Sequence, residues 1–109
     1  MTEHSLDRLF NQVMVRKSAD PQQSYTAKLF KEGVAKCAKK LGEEGVEAAL
    51  AGALGDHKGL VEESADLLYH LTVMWAIAGV TPSEVYAELH EREKRSGLDD
   101  KAARKGPGR

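Results

Sequence analysis

The chain has 109 residues, with 16 Lys and Arg against 17 Asp and Glu and a net charge of −1. That length fits one domain, residues 1–109, and the charge balance argues against nucleic acid as a partner, because phosphate binding needs a surplus of cations. A composition 41% hydrophobic and 30% charged is globular, and the single Cys37 leaves no disulfide framework and no paired zinc spacing.

The first residues carry no basic start with an apolar run behind it, so no signal peptide is expected. The longest apolar stretch, residues 67–80, is broken by His70 and Thr72 and falls short of the ~20 residues a bilayer span needs. The expectation is a cytoplasmic protein with no membrane partner.

Leu6, Leu9, Phe10, Val13 and Met14 recur at helical spacing, with Ser5 as the expected N-cap and Arg16 and Lys17 suited to the C-terminal end. Residues 18–21 read as a turn. A second helical stretch opens near Ser24. Gly33 divides it into a short helix and a long one, on which Phe30, Val34, Cys37, Ala38, Leu41, Gly45, Ala48 and Ala49 share a face. Cys37 on that face reads as an inert buried thiol. Residues 52–59, glycine-rich with Asp56 and His57, read as a connection.

The next helix spans about 60–78 and is apolar nearly all round from Leu67 onward. Such a helix is buried on every side, and so short a chain has little material to surround it. A partner copy is therefore expected at its surface. Gly79 reads as the C′ glycine, and Thr81-Pro82-Ser83-Glu84 as a capping box opening a last helix that ends near Ser96-Gly97. Residues 98–109, basic with two glycines and a proline, are expected to be a flexible tail. No stretch alternates at strand length. The fold class is all-α, a four-helix-bundle-like arrangement completed by dimerisation.

Two acidic pairs stand out. Glu44 and Glu47 are neighbours on one helix surface, as are Glu63 and Asp66 on the next. Glu63, Asp66 and His70 lie on the stripe that continues as Val73, Met74 and Ile77, so carboxylates stand where core is expected. Buried carboxylates are costly unless paired or metal-bound. Antiparallel helices would bring the two pairs together, and a divalent cation would relieve the repulsion. Oxygen donors with at most one histidine favour Mg2+ or Mn2+. Lys39 and Lys40 stand ready to supply charge for phosphates. A di-iron site would need a second Glu-x-x-His pair, which is missing.

The chain resembles the phosphoribosyl-ATP pyrophosphatase family of the all-α MazG-like nucleotide pyrophosphatases. The resemblance lies in Ser24-Tyr-Thr-Ala-Lys-Leu29, Lys36-Cys-Ala-Lys-Lys-Leu-Gly-Glu-Glu44, Glu47, Glu63-Ser-Ala-Asp-Leu-Leu-Tyr-His70 and Ser96-Gly-Leu98. Gly45 stands where alanine is more usual. The resemblance implies Mg2+-dependent hydrolysis of phosphoribosyl-ATP to phosphoribosyl-AMP and pyrophosphate, the second step of L-histidine biosynthesis. It implies Glu44, Glu47, Glu63 and Asp66 as metal ligands, and Glu43 as a group that orients or activates water. It assigns Lys39, Lys40 and His70 to substrate, with Lys101 and Arg104 closing over the phosphoribosyl group. Two other readings stay open: a house-cleaning (d)NTP pyrophosphatase using the same carboxylates, and a non-enzymatic helical dimerisation module.

Overall fold

The computed structural model describes residues 4–95. Within them the chain forms five helices: α1 (Ser5–Arg16), α2 (Tyr25–Glu32), α3 (Val34–Ala53), α4 (His57–Ala78) and α5 (Pro82–Arg92). The fold is all-α, and the described residues contain no strand. No described helix is long and apolar enough to cross a membrane.

Local chemistry sets most helix ends. At α1 the cap is His4 rather than Ser5. Its Nδ1 accepts the Leu6 N–H at 3.0 Å while the Asp7 carboxylate accepts the His4 N–H at 3.1 Å, a reciprocal pair that a serine one residue later does not offer. Ser24 caps α2 through the Ala27 N–H. Asp56 caps α4 through the Gly59 N–H. With that cap, α4 starts at His57 and the connection shrinks to residues 54–56. Thr81 and Glu84 form the expected capping box of α5, which ends at Arg92, short of the expected 96–97.

Gly33 separates α2 from α3 at φ 97°, ψ 171°, a conformation open essentially to glycine alone. It lets the chain turn without a loop. Across the corner the Cys37 thiol donates to the Leu29 carbonyl at 3.2 Å. Cys37 is buried, and burial pushes its pKa up, as the inert reading expects.

The centre of the molecule is the α3–α4 hairpin, crossed by α1 and flanked by α2, with α5 against α1. Leu67 meets the Gly45 position and Leu60 the Gly52 position, at 3.9 and 3.8 Å from where a Cβ would stand. Seven residues up α3 match seven residues down α4, which defines an antiparallel register. The contact at 45 is ordinary van der Waals distance, so an alanine also fits there.

The buried cluster joins Val13 of α1, Leu29 of α2, Cys37 of α3 and Val73 of α4, with Leu9, Phe30, Tyr69, Met74 and Ile77 packed around it. Cys37 and Ala48 take the expected inner face of α3, joined by Ala51, whereas Val34, Ala38 and Ala49 are exposed. The turn at Gly33 rotates α3 so that these three flank the buried stripe. On α4, Trp75 is buried within the single chain, while Leu68 is 41% exposed. All-round apolarity thus does not translate into all-round burial inside one chain.

Gly33 and Gly42 separate backbone need from mere occupancy. Gly33→Ala should destabilise by about 1–3 kcal/mol, since alanine is strained there. Gly42 lies within α3 with open space around it, and Gly42→Ala should stabilise by about 0.5–1 kcal/mol. Urea denaturation of the two variants checks both signs.

Candidate active site

The hairpin register sets the Glu44–Glu47 turn of α3 against the Glu63–Asp66 turn of α4. Carboxylate oxygens from Glu44, Glu63 and Asp66 lie within 4.8 Å of one another. Glu44 and Glu63 are half-buried. Glu44 Oε2 is buried without a hydrogen-bond partner, a costly condition for a carboxylate oxygen.

The electrostatics show the strain. The neighbouring Glu47 carboxyl, with burial and the charges of Glu47, Glu44 and Asp66, raises Glu63 to about 7. Burial, then Glu47 and Asp66, raises Glu44, with Lys40 opposing. Like charges this close favour a shared proton or a cation. All donors are oxygens, one has an unfilled lone-pair direction, and the set fits a hard divalent ion. Glu47 lies just outside the converging three and acts on both Glu44 and Glu63.

The other expected residues divide. Lys40 is on the site's edge, and its charge reaches Glu44 and His70. His70 is buried, and burial lowers its pKa against the opposing pull of Asp66, which keeps the imidazole neutral at neutral pH. Lys39 is exposed. Glu43 also faces outward, 3.9 Å from Lys40 Nζ, away from the converging oxygens. Lys101 and Arg104 lie outside the described residues.

A cavity of about 500 Å3 opens beside the carboxylates, with Glu44, Asp66 and His70 on its wall. Sequence reasoning did not assign to the site four further lining residues: Arg16 from the end of α1, Tyr25 and Thr26 from the start of α2, and Tyr69 from α4. The rings of Tyr25 and Tyr69 are near-parallel, 26° apart at 6.2 Å between centroids, and the His70 ring stands edge-on to both. Thr26 Oγ1 and the Tyr69 hydroxyl hydrogen-bond at 2.6 Å. Ser24-Tyr-Thr and Tyr69 stand in segments that carry the family resemblance but have no role of their own in it, and Arg16 reads as a helix-dipole partner, which points to no site.

Comparison with known proteins agrees with the geometry. The family described as phosphoribosyl-ATP pyrophosphohydrolase matches residues 6–93. A phosphoribosyl-ATP pyrophosphatase of Parvibaculum lavamentivorans is 58% identical over 99 residues, covering 91% of this chain and 91% of the relative. One from Azospirillum brasilense is 54% identical over 100 residues, covering 92% and 90%. One from Methylobacterium nodulans is 52% identical over 107 residues, covering 98% and 100%. The chain belongs to the phosphoribosyl-ATP pyrophosphohydrolase family.

The raised Glu63 pKa has a sign that melting can read. Between its ordinary 4.5 and about 7, the folded protein holds a proton that the unfolded chain releases. That stabilisation is complete below 4.5 and is lost as pH rises through about 7. In chelator, the difference in melting temperature between Glu63→Gln and the parent should therefore widen in the variant's favour from pH 5 to pH 8. A variant melting well below the parent at pH 8 would mean that the carboxylates hold the fold together.

Proposed function

We propose that this chain hydrolyses phosphoribosyl-ATP to phosphoribosyl-AMP and pyrophosphate, as the names of its relatives imply and as a step of L-histidine biosynthesis. The observation that carries this reading is the convergence of Glu44, Glu63 and Asp66 beside a cavity. Glu44, Glu47, Glu63 and Asp66 would hold Mg2+, with Mn2+ as a substitute, because hard oxygen donors suit both ions. When bound, the metal neutralises phosphate charge and lowers the pKa of a coordinated water.

The chain's own groups do the positioning. Lys40 offsets negative charge at the cluster's edge, and Glu43 restrains Lys40 through their ion pair. The family resemblance still assigns Glu43 to orienting or activating the attacking water. His70, neutral and buried, hydrogen-bonds a ligand carboxylate or the substrate. Lys39 meets phosphate from the surface, and the assignment of Lys101 and Arg104 to the substrate rests on the family resemblance alone.

The active form in this reading is a homodimer. Val46, Leu50 and Leu54 form an outward stripe on α3, 60%, 56% and 81% exposed, and Val61 of α4 adds to it at 59%. A contiguous apolar strip of this kind marks an interaction surface. It lies nearer the α3–α4 turn than the Leu67–Ile77 segment that the sequence nominates. Sedimentation should show a dimer at micromolar concentration, and Leu50→Glu should shift it toward monomer. A monomeric parent would refute the assembly.

Pyrophosphate release from phosphoribosyl-ATP, with Mg2+ and beside a panel of NTPs and dNTPs, tests the activity. The expected result is a clear preference for phosphoribosyl-ATP. Preference for an NTP would instead support the house-cleaning reading, and no release from any nucleotide the non-enzymatic one. Glu63→Gln should cut the rate at least about 100-fold by removing a metal ligand. In Mg2+ the parent, not the variant, should gain melting temperature.

A further inference from the structure

The cavity beside the carboxylates is electrically graded. One wall carries Glu44 and Asp66, whose charges reach Tyr25. The cation acting on Glu44 and His70 is Lys40. The cation acting on Tyr69 is Arg16, which belongs to α1 and lies outside the hairpin. Among the described residues lining the cavity, Arg16 is the single permanent cation. The near-parallel rings of Tyr25 and Tyr69 link the two charges: Glu44 and Asp66 act on Tyr25, and Arg16 acts on Tyr69. Tyr25 is 50% exposed, so ring surface is available to a ligand. Tyr69 is pinned by its bond to buried Thr26, which fixes the ring before anything binds.

A ligand matched to this order has an anionic chain for a metal at one end, an aromatic ring in the middle and a second anion at the other end. ATP has the first two features only. Phosphoribosyl-ATP has all three, because its extra ribose carries a phosphate on the far side of the adenine from the triphosphate. The volume, about 500 Å3, is in the range of nucleotide-sized pockets, roughly 300–1,000 Å3. A guanidinium supplies the forked donors that a phosphate monoester accepts.

We propose that Arg16 binds the phosphate of the second ribose and so sets the preference for phosphoribosyl-ATP over ATP, while Tyr25 and Tyr69 hold the adenine. This rests on the substrate proposed above. Arg16 is a specificity-determining residue, remote from the bond that breaks. Its contact is present in ground and transition states alike, so its loss falls on KM more than on kcat. Tyr25 contacts the part of the ligand that both nucleotides share.

Binding of phosphoribosyl-AMP and of AMP, measured by calorimetry with Mg2+ for the parent, Arg16→Ala, Arg16→Lys and Tyr25→Leu, tests this. Arg16→Ala should weaken phosphoribosyl-AMP about 10- to 100-fold, the usual worth of a charge-assisted contact, and bring it to the affinity of AMP. AMP itself should change less than about two-fold, and Arg16→Lys should recover part of the loss. Tyr25→Leu should weaken both nucleotides by the same factor, about 5- to 100-fold. Equal weakening of both by Arg16→Ala, or no weakening of either, overturns the assignment of Arg16. Unchanged binding in Tyr25→Leu overturns the adenine site. A parent that releases no pyrophosphate from phosphoribosyl-ATP overturns the substrate instead, whatever Arg16 does to binding.

Discussion

Everything at the site depends on carboxylates held together against their own repulsion. Glu44 and Glu63 stand half-buried with Asp66 beside them, and one Glu44 oxygen has no partner. Isolated from the fold, these groups would separate and hydrate. They stay together because α3 and α4 share an antiparallel register maintained by Leu67 against Gly45 and Leu60 against Gly52. Shifting that register by one turn would part the two acidic turns and put leucine where Glu63 stands. The apolar contacts therefore hold the carboxylates in a geometry that a cation completes.

The second requirement is the rest of the cavity wall, and two further helices, α1 and α2, supply it beside the hairpin. Gly33 allows α2 to fold back on α3 with no loop residues, and the Cys37–Leu29 bond ties the corner. Val13 and Leu29 enter the same buried cluster as Cys37 and Val73. That shared cluster brings the end of α1 and the start of α2 to the mouth of the hairpin. Arg16, Tyr25 and Thr26 reach the cavity as a consequence. Core and site are thus one construction: the residues that bury apolar surface also set where the polar ones stand.

The sequence by itself determined the class and the chemistry. Helical periodicity, the Thr81–Glu84 capping box, the Ser24 cap and the Gly33 break are local, and local signals survive in a one-dimensional reading. So does the anomaly of Glu63, Asp66 and His70 on a stripe that continues as core, because i to i+3 and i+4 spacing is a property of one helix. Where competing local signals were close in strength, the reading slipped. Ser5 yielded to His4, whose ring nitrogen with Asp7 satisfies both donors, and the glycine-rich connection gave way to an α4 begun at Asp56.

Tertiary structure alone decided which neighbours those residues have. Glu43 and Glu44 point apart because a helix turns about 100° per residue, but only the packing of α4 on α3 gives Glu44 the partners Glu63 and Asp66 and leaves Glu43 beside Lys40. Exposure of Val46, Leu50 and Leu54 could not be read from apolarity, since composition does not say which apolar residues another helix reaches. Arg16 and Tyr69 belong to different helices far apart in the chain, and only the packing of α1 across α4 puts them on one cavity. A pattern within one helix fixes a face. Which face meets which depends on burying the most apolar surface overall, and that is a property of the folded whole.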